Sequence, residues 1–191
     1  MTPQRSSPTP PSSLSWKGRV RREVANARRI AILGVGHRDQ GDDAAGSFCA
    51  EALRTVSRGR FRSRLKILAG REAPESLTGK IRKFGPDLVM ILDAAAGHRR
   101  PGAVFLVDAD DIADEGLTTH NLSLKYLVAY LEETLPCRVL ILGIQPKTIA
   151  WRAPLSTPVE NGIKSLVFFL EKALSLGIGT AAGARRGRST A

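Results

Sequence analysis

The apolar residues of this 191-residue chain form short continuous runs that alternate with longer stretches of helical periodicity. Runs that are apolar at every position are typical of parallel strands buried on both faces. Bounded apolar runs predict strands at 30–33, 65–69, 87–94, 104–107 and 138–144. Apolar residues spaced three and four apart predict helices after residue 43, within 75–84, after residue 121 and from Thr157 onward.

The order of these elements, β-α-β-α-β-β-α-β-α, determines the expected fold class. Such alternation predicts a three-layer α/β/α sandwich with a mostly parallel sheet of about five strands. The strand at 104–107 follows its predecessor after a turn that is too short for a crossover helix. We therefore expect this one strand to pair in the antiparallel direction.

The two ends of the chain differ in composition from its middle. Residues 1–28 are rich in Pro, Ser and Arg and are predicted to be a disordered basic tail. Residues 29–176 form the predicted folded domain. Gly177 is expected to end the last helix, so residues 177–191 are predicted to be a flexible basic tail.

The net charge of +11 changes this picture little, because it is concentrated in the two ends. Residues 1–30 hold seven Lys or Arg and one Glu, and residues 177–191 hold three Arg. The folded middle is therefore nearly neutral, and a nucleic-acid partner is not expected. No apolar run approaches the ~20 residues of a membrane helix, and no hydrophobic signal segment opens the chain. We expect a cytoplasmic monomer without a membrane partner.

Cysteine usage gives no candidate for a structural metal site. The two cysteines, Cys49 and Cys137, are far apart in the sequence and lack the paired spacing of zinc ligands. Both are expected to be buried free thiols. No GxSxG motif occurs, so covalent acyl transfer is poorly supported.

Two carboxylates and one imidazole stand where predicted strands and helices meet. Asp43 follows the first strand, Asp93 ends the third, and His120 precedes the third helix. Ligands of open α/β sheets bind at the carboxyl ends of strands, where these side chains can converge. Such a set suits nickel, zinc, copper or iron better than magnesium. Each residue also has a simpler interpretation: a helix cap, a strand-end acceptor and a hydrogen-bonded loop residue, respectively.

A dinucleotide-binding turn is the other interpretation of Gly34-x-Gly36 after the first strand. Asp39 stands where the third glycine of that motif is required. The carboxylates of Asp42 and Asp43 would also repel a pyrophosphate. A nucleotide site is therefore not supported.

Four motifs in a fixed order carry a resemblance to a known family. They are the turn from Gly34 to Asp43, Ala73-Pro74-Glu75, Asp93-Ala94 with Pro101-Gly102, and Thr118 to Leu124 with Leu142-Gly143-Ile144-Gln145-Pro146. Together they resemble the hydrogenase maturation endopeptidases, and are most similar to the branch that serves hydrogenase 3 of formate hydrogenlyase. The resemblance extends over residues 29–175.

The resemblance implies a function and a site. It implies an endopeptidase, aspartic-type or metal-dependent, that removes a C-terminal peptide from the nickel-loaded precursor of a nickel-iron hydrogenase large subunit. Asp43, Asp93 and His120 would contact the nickel, which the substrate supplies and the enzyme does not keep. Whether these residues are catalytic or only bind metal stays open. The alternative is a non-catalytic nickel-binding or scaffold module in metallocentre assembly.

Two positions depart from the family pattern. His37 stands where the family has asparagine, and Ala44 where it usually has glycine. His37 offers a further nitrogen donor for the metal or a substitute for a hydrogen bond. Ala44 is expected to be harmless in a helical position, since alanine has the higher helix propensity.

Overall fold

A computed structural model describes residues 15–57, 61, 63–71, 73–107 and 121–183 of the chain. The strands are β1 (Ile30–Val35), β2 (Leu65–Arg71), β3 (Leu88–Ala94), β4 (Val104–Val107) and β5 (Arg138–Ile144). The helices are α1 (Trp16–Asn26), α2 (Ala45–Ser57), α3 (Thr78–Phe84), α4 (Asn121–Thr134) and α5 (Thr157–Gly183). Two 3₁₀ turns, Gly41–Ala44 and Pro74–Leu77, precede α2 and α3.

The five strands form one sheet in the order β2-β1-β3-β5-β4. The pairs β1–β2, β1–β3 and β3–β5 are parallel, whereas β4 runs antiparallel to β5 with Val104 opposite Ile144. Every residue of β1 and β3 is buried, which explains their uninterrupted apolar sequences. The predicted sheet with a single antiparallel strand is thus confirmed.

Alternate residues of the central strands enter two separate cores. Ile32 and Met90 pack with α1, α2 and α5 on one side of the sheet. Leu33 and Ile91 pack with α3 and α4 on the other side. Helices therefore cover both faces, and the predicted three-layer α/β/α sandwich is confirmed. None of the helices in the described ranges is long and apolar enough to cross a membrane.

The prediction of a disordered tail over residues 1–28 is wrong in its second half. Residues 16–26 form α1, which packs against α5, and its Val20 and Val24 are completely buried. The ring of Trp16 lies edge-on to that of Phe169, with centroids 5.0 Å apart. Apolar residues spaced four apart thus bury one face of a helix whose other residues are mostly charged. Residues 1–14 lie outside the described part.

The predicted end of the last helix at Gly177 is also wrong, because α5 continues to Gly183. A Cβ atom at Gly177 would lie 2.7 Å from Cγ1 of Val24 and 3.2 Å from its backbone carbonyl oxygen. Glycine here permits close contact between α5 and α1 instead of ending the helix. The folded domain therefore extends beyond residues 29–176 at both ends.

The strand order creates a crevice at one edge of the sheet. From β1 the chain crosses to β2 on one side, and β3 then lies on the other side of β1. The connections that follow β1 and β3 therefore diverge at their carboxyl ends. This switch point is where open α/β sheets bind ligands.

Candidate functional site

Glycines shape the connection between β1 and α2. Gly36 has a φ of +133°, and a Cβ atom there would overlap the carbonyl oxygen of Asp43. A Cβ atom at Gly34 would overlap the carbonyl oxygen of Gly46 in α2. The two glycines thus let the turn Gly41–Ala44 and the start of α2 fold directly onto the end of β1.

Asp43 lies in this turn with only 1% of its surface exposed. Its Oδ2 accepts a hydrogen bond of 2.6 Å from the backbone N–H of His37. Its buried Oδ1 accepts no hydrogen bond from any residue in the described part of the chain. Neither oxygen binds a helix N–H, so the interpretation of Asp43 as a helix cap is wrong. A buried carboxylate oxygen with unused capacity is instead suited to a proton or a cation.

Asp93 is the penultimate residue of β3 and is completely buried. It pairs with Gly143 of β5, and strand alternation places it on the same face as Val89 and Ile91, toward α3 and α4. The turn Gly41–Ala44 contacts β3. The turn that carries Asp43 and the strand that carries Asp93 are therefore neighbours at the switch point.

The third predicted residue, His120, lies outside the described residues, but the helix that follows it is well placed. Helix α4 ends at Thr134, shortly before β5 starts at its amino end. Its 14 residues span about 21 Å, close to the length of a seven-residue strand. The helix also contacts the turn Pro74–Leu77, which follows the carboxyl end of β2. Asn121, its first residue, therefore lies toward the edge that carries Asp43 and Asp93.

His37 lies beside Asp43 and is partly buried. Its Nδ1 accepts a hydrogen bond of 3.1 Å from the backbone N–H of Asp39. Its ring lies 5.2 Å from that of Trp151, at an angle of 57°. The described ranges contain no group of three or more His, Cys, Asp or Glu residues that could hold a metal. A metal site built on Asp43 and Asp93 thus needs a donor from elsewhere in the chain or from a substrate.

Asp42 has a structural role that was not predicted from the sequence. Its Oδ2 accepts hydrogen bonds from the backbone N–H groups of Lys147 and Thr148, at 2.8 and 3.1 Å, and from the hydroxyl of Ser156, at 2.8 Å. Its Oδ1 accepts the backbone N–H of Ser156 at 2.6 Å. The carboxylate is completely buried. It therefore fixes the loop that connects β5 to α5 at the edge of the site.

Gln145 performs a similar task for the loop after β3. Its Oε1 accepts the backbone N–H groups of Gly97 and Arg99, at 2.9 and 3.1 Å. Its backbone carbonyl accepts the N–H of Gly102 at 2.8 Å. Three connections around the crevice are thus held by specific hydrogen bonds, which is the rigidity that a catalytic site requires.

The cysteines do not contribute a nucleophile to this edge. Both are free thiols, as expected, with Cys49 buried and Cys137 only partly buried. Burial raises the pKa of the Cys49 thiol to about 12. Burial, and to a lesser extent the nearby charge of Glu132, raises the pKa of the Cys137 thiol as well. Both groups are therefore in the unreactive thiol form near neutral pH.

Known proteins are similar to this chain in sequence and in fold. The family model of HycI, described as hydrogenase maturation protease, matches residues 49–173. The hydrogenase 3 maturation protease of Escherichia coli (strain K12) is 33% identical over 141 residues, covering 73% of this chain and 87% of that protein. The crystal structure of the NiFe hydrogenase maturation protease HycI from Thermococcus kodakarensis KOD1 has a TM-score of 0.73 at 28% identity, covering 82% and 98% of the two chains.

The solution structure of the endopeptidase HycI from Escherichia coli has a TM-score of 0.66 at 33% identity, and the match covers 75% of this chain and 90% of that one. The extent of these matches confirms the predicted resemblance, the branch it indicated and the assignment as a peptidase. The chain therefore belongs to the HycI family of hydrogenase maturation proteases.

Proposed function

We propose that this peptidase removes a C-terminal peptide from the nickel-loaded precursor of a nickel-iron hydrogenase large subunit. One observation carries the proposal. Asp43 and Asp93, both buried, lie on neighbouring elements at the switch point of the sheet. Within a family of hydrogenase maturation proteases, this is the place and the chemistry expected for peptide cleavage.

Electrostatics supports a metal ion as part of the substrate. Taking a carboxylate out of water is costly unless a proton, a cation or several donors compensate it. Oδ1 of Asp43 has no donor among the described residues, so a cation brought by the substrate would find an oxygen ready to bind it. We propose that this cation is the nickel already held by the precursor.

We propose His120 as the third ligand and keep His37 as a further donor. Imidazole and carboxylate together favour nickel over magnesium or calcium. The position of Asn121 toward the carboxyl edge supports the assignment of His120. His37 is held beside Asp43 by its backbone N–H. Its ring Nδ1 accepts the backbone N–H of Asp39, which keeps the ring in the same connection as Asp43.

The cleavage chemistry uses the same residues in two ways. The bound nickel fixes the precursor and polarises the scissile carbonyl as a Lewis acid. One of the two carboxylates accepts a proton from the attacking water as general base. The water oxygen adds to the carbonyl carbon, the carbon–nitrogen bond breaks, and the proton passes to the leaving amine. Because the metal arrives with the substrate, a precursor without nickel lacks the anchor that positions this bond.

The test compares two forms of one substrate. Wild-type protein is incubated with nickel-loaded and with nickel-free precursor, and intact mass reports loss of the C-terminal peptide. We expect cleavage of the loaded form only. Equal cleavage of both forms would refute the nickel requirement. Binding of the loaded precursor without any mass loss would instead support the non-catalytic scaffold alternative.

A further inference from the structure

Two large apolar side chains remain exposed beside the site, on the loop between β5 and α5. Ile149 is 48% exposed and Trp151 is 60% exposed. We call this stretch of the loop the Ile149–Trp151 ledge. Both residues lie within the segment that Asp42 binds at Lys147, Thr148 and Ser156. The ledge is therefore displayed by an anchored loop and not by a loosely attached one.

Further contacts fix the conformation of the ledge. The backbone N–H of Arg152 donates a hydrogen bond to the carbonyl oxygen of Asp39, in the turn that follows His37. Arg152 also has a φ of +58°, a left-handed conformation that is uncommon and costly for residues other than glycine. The left-handed residue and the hydrogen bond to Asp39 together hold the backbone next to Trp151 in one conformation.

The ledge is connected to the proposed catalytic carboxylate by two contacts. The ring of Trp151 lies 5.2 Å from the ring of His37. The backbone N–H of His37 donates to Oδ2 of Asp43. A peptide bound with its scissile bond near Asp43 and extended past His37 would reach the side chain of Trp151.

We propose that the Ile149–Trp151 ledge binds an apolar side chain of the precursor next to the scissile bond, so that Trp151 is a specificity-determining residue. This inference rests on the proposed function. Exposed aromatic rings beside a site are typical anchors for partner side chains. Because Ile149 and Trp151 carry no charge, they bury the most apolar surface against an apolar residue at the facing position.

The experiment measures kcat and KM for cleavage of the nickel-loaded precursor by wild type, Trp151→Ala, Trp151→Phe and Ile149→Ala. We expect Trp151→Ala to raise KM about tenfold, as truncation of an aromatic anchor does. Its kcat should stay within about twofold of wild type, because binding is lost and chemistry is not. Ile149→Ala should raise KM by a smaller factor, and Trp151→Phe should restore most of the affinity.

The matched control is Phe168→Ala. Phe168 is 58% exposed and lies about 16 Å along α5 from its start, where the ammonium group of Lys172 covers its ring. Its removal should leave both constants unchanged. An unchanged KM in Trp151→Ala, a loss confined to kcat, or an equal defect in Trp151→Phe would each overturn the inference while cleavage by wild type still supports the proposed function. Failure of wild type to cleave would overturn both.

Discussion

Asp42 and Asp43 are adjacent in the sequence, yet their carboxylates have different surroundings. Both oxygens of Asp42 are occupied by donors from the β5–α5 loop. Only one oxygen of Asp43 has a donor among the described residues. The first carboxylate is therefore structural, and the second has the unused capacity that a site requires.

This difference gives a stability prediction for Asp42. Replacing the buried Asp42 by Ala leaves the backbone N–H groups of Lys147, Thr148 and Ser156, and the hydroxyl of Ser156, without their acceptor. We expect the free energy of unfolding to fall by about 3 kcal/mol, the range for breaking a buried hydrogen-bond network. Urea denaturation measures this change.

Asp39→Ala is the control for that variant, since Asp39 lies in the same turn but is exposed. Its effect should stay within about 0.5 kcal/mol. Equal stability of Asp42→Ala and wild type would show that the four hydrogen bonds do not hold the loop.

The sequence alone predicts the positions of site residues that lie at the ends of strands. Asp43 and Asp93 each follow or close an apolar run, so their place at one edge of a parallel sheet is predictable. The hydrogen-bond partners of Asp42 are 105 to 114 positions away in the sequence. No local sequence pattern predicts such contacts. The proximity of Trp151 to His37 could not be predicted for the same reason, because only the fold brings the two side chains together.

At the scale of elements, the two errors of sequence reasoning have one cause. Trp16, Val20 and Val24 form a spaced apolar stripe, but the Pro, Ser and Arg around them suggested disorder. Gly177 resembled a helix end because its role depends on Val24, far away in the sequence. Helix α1 and the end of α5 stabilise each other by packing together. This tertiary contact outweighs the local sequence preferences from which both were predicted.

The packing of α1 on α5 predicts a measurable loss on truncation. Val24→Ala removes two methyl groups from a completely buried position. We expect a fall of about 2 kcal/mol in the free energy of unfolding, from lost burial and the remaining cavity. Chemical denaturation checks it.

Arg22→Ala serves as the comparison on the same helix, because the Arg22 side chain is half-exposed and its ion pair with Glu23 is long, at 4.0 Å. Its effect should stay within about 0.5 kcal/mol. If Val24→Ala has the same free energy of unfolding as wild type, the packing of α1 against α5 does not stabilise the fold.

At the scale of the whole molecule, the hydrophobic pattern was sufficient for the class of fold. Continuous apolar strands that alternate with helices imply a mostly parallel sheet with helices on both faces. The short connection before β4 implies that this strand runs antiparallel to its neighbour. The order β2-β1-β3-β5-β4 was not predictable in this way, because strand neighbours are chosen by packing. That order is what places the turn of Asp43 next to the strand of Asp93.

Cleavage of the nickel-loaded precursor by Asp43→Ala and Asp93→Ala shows whether these carboxylates at the switch point form the active site. Each change removes a carboxylate from the proposed machinery, so we expect the rate to fall by at least about a hundredfold. Circular dichroism should show that both variants stay folded. Glu133→Ala, an exposed acid on α4, should cleave like wild type. Wild-type activity in folded Asp93→Ala would show that this carboxylate takes no part in cleavage.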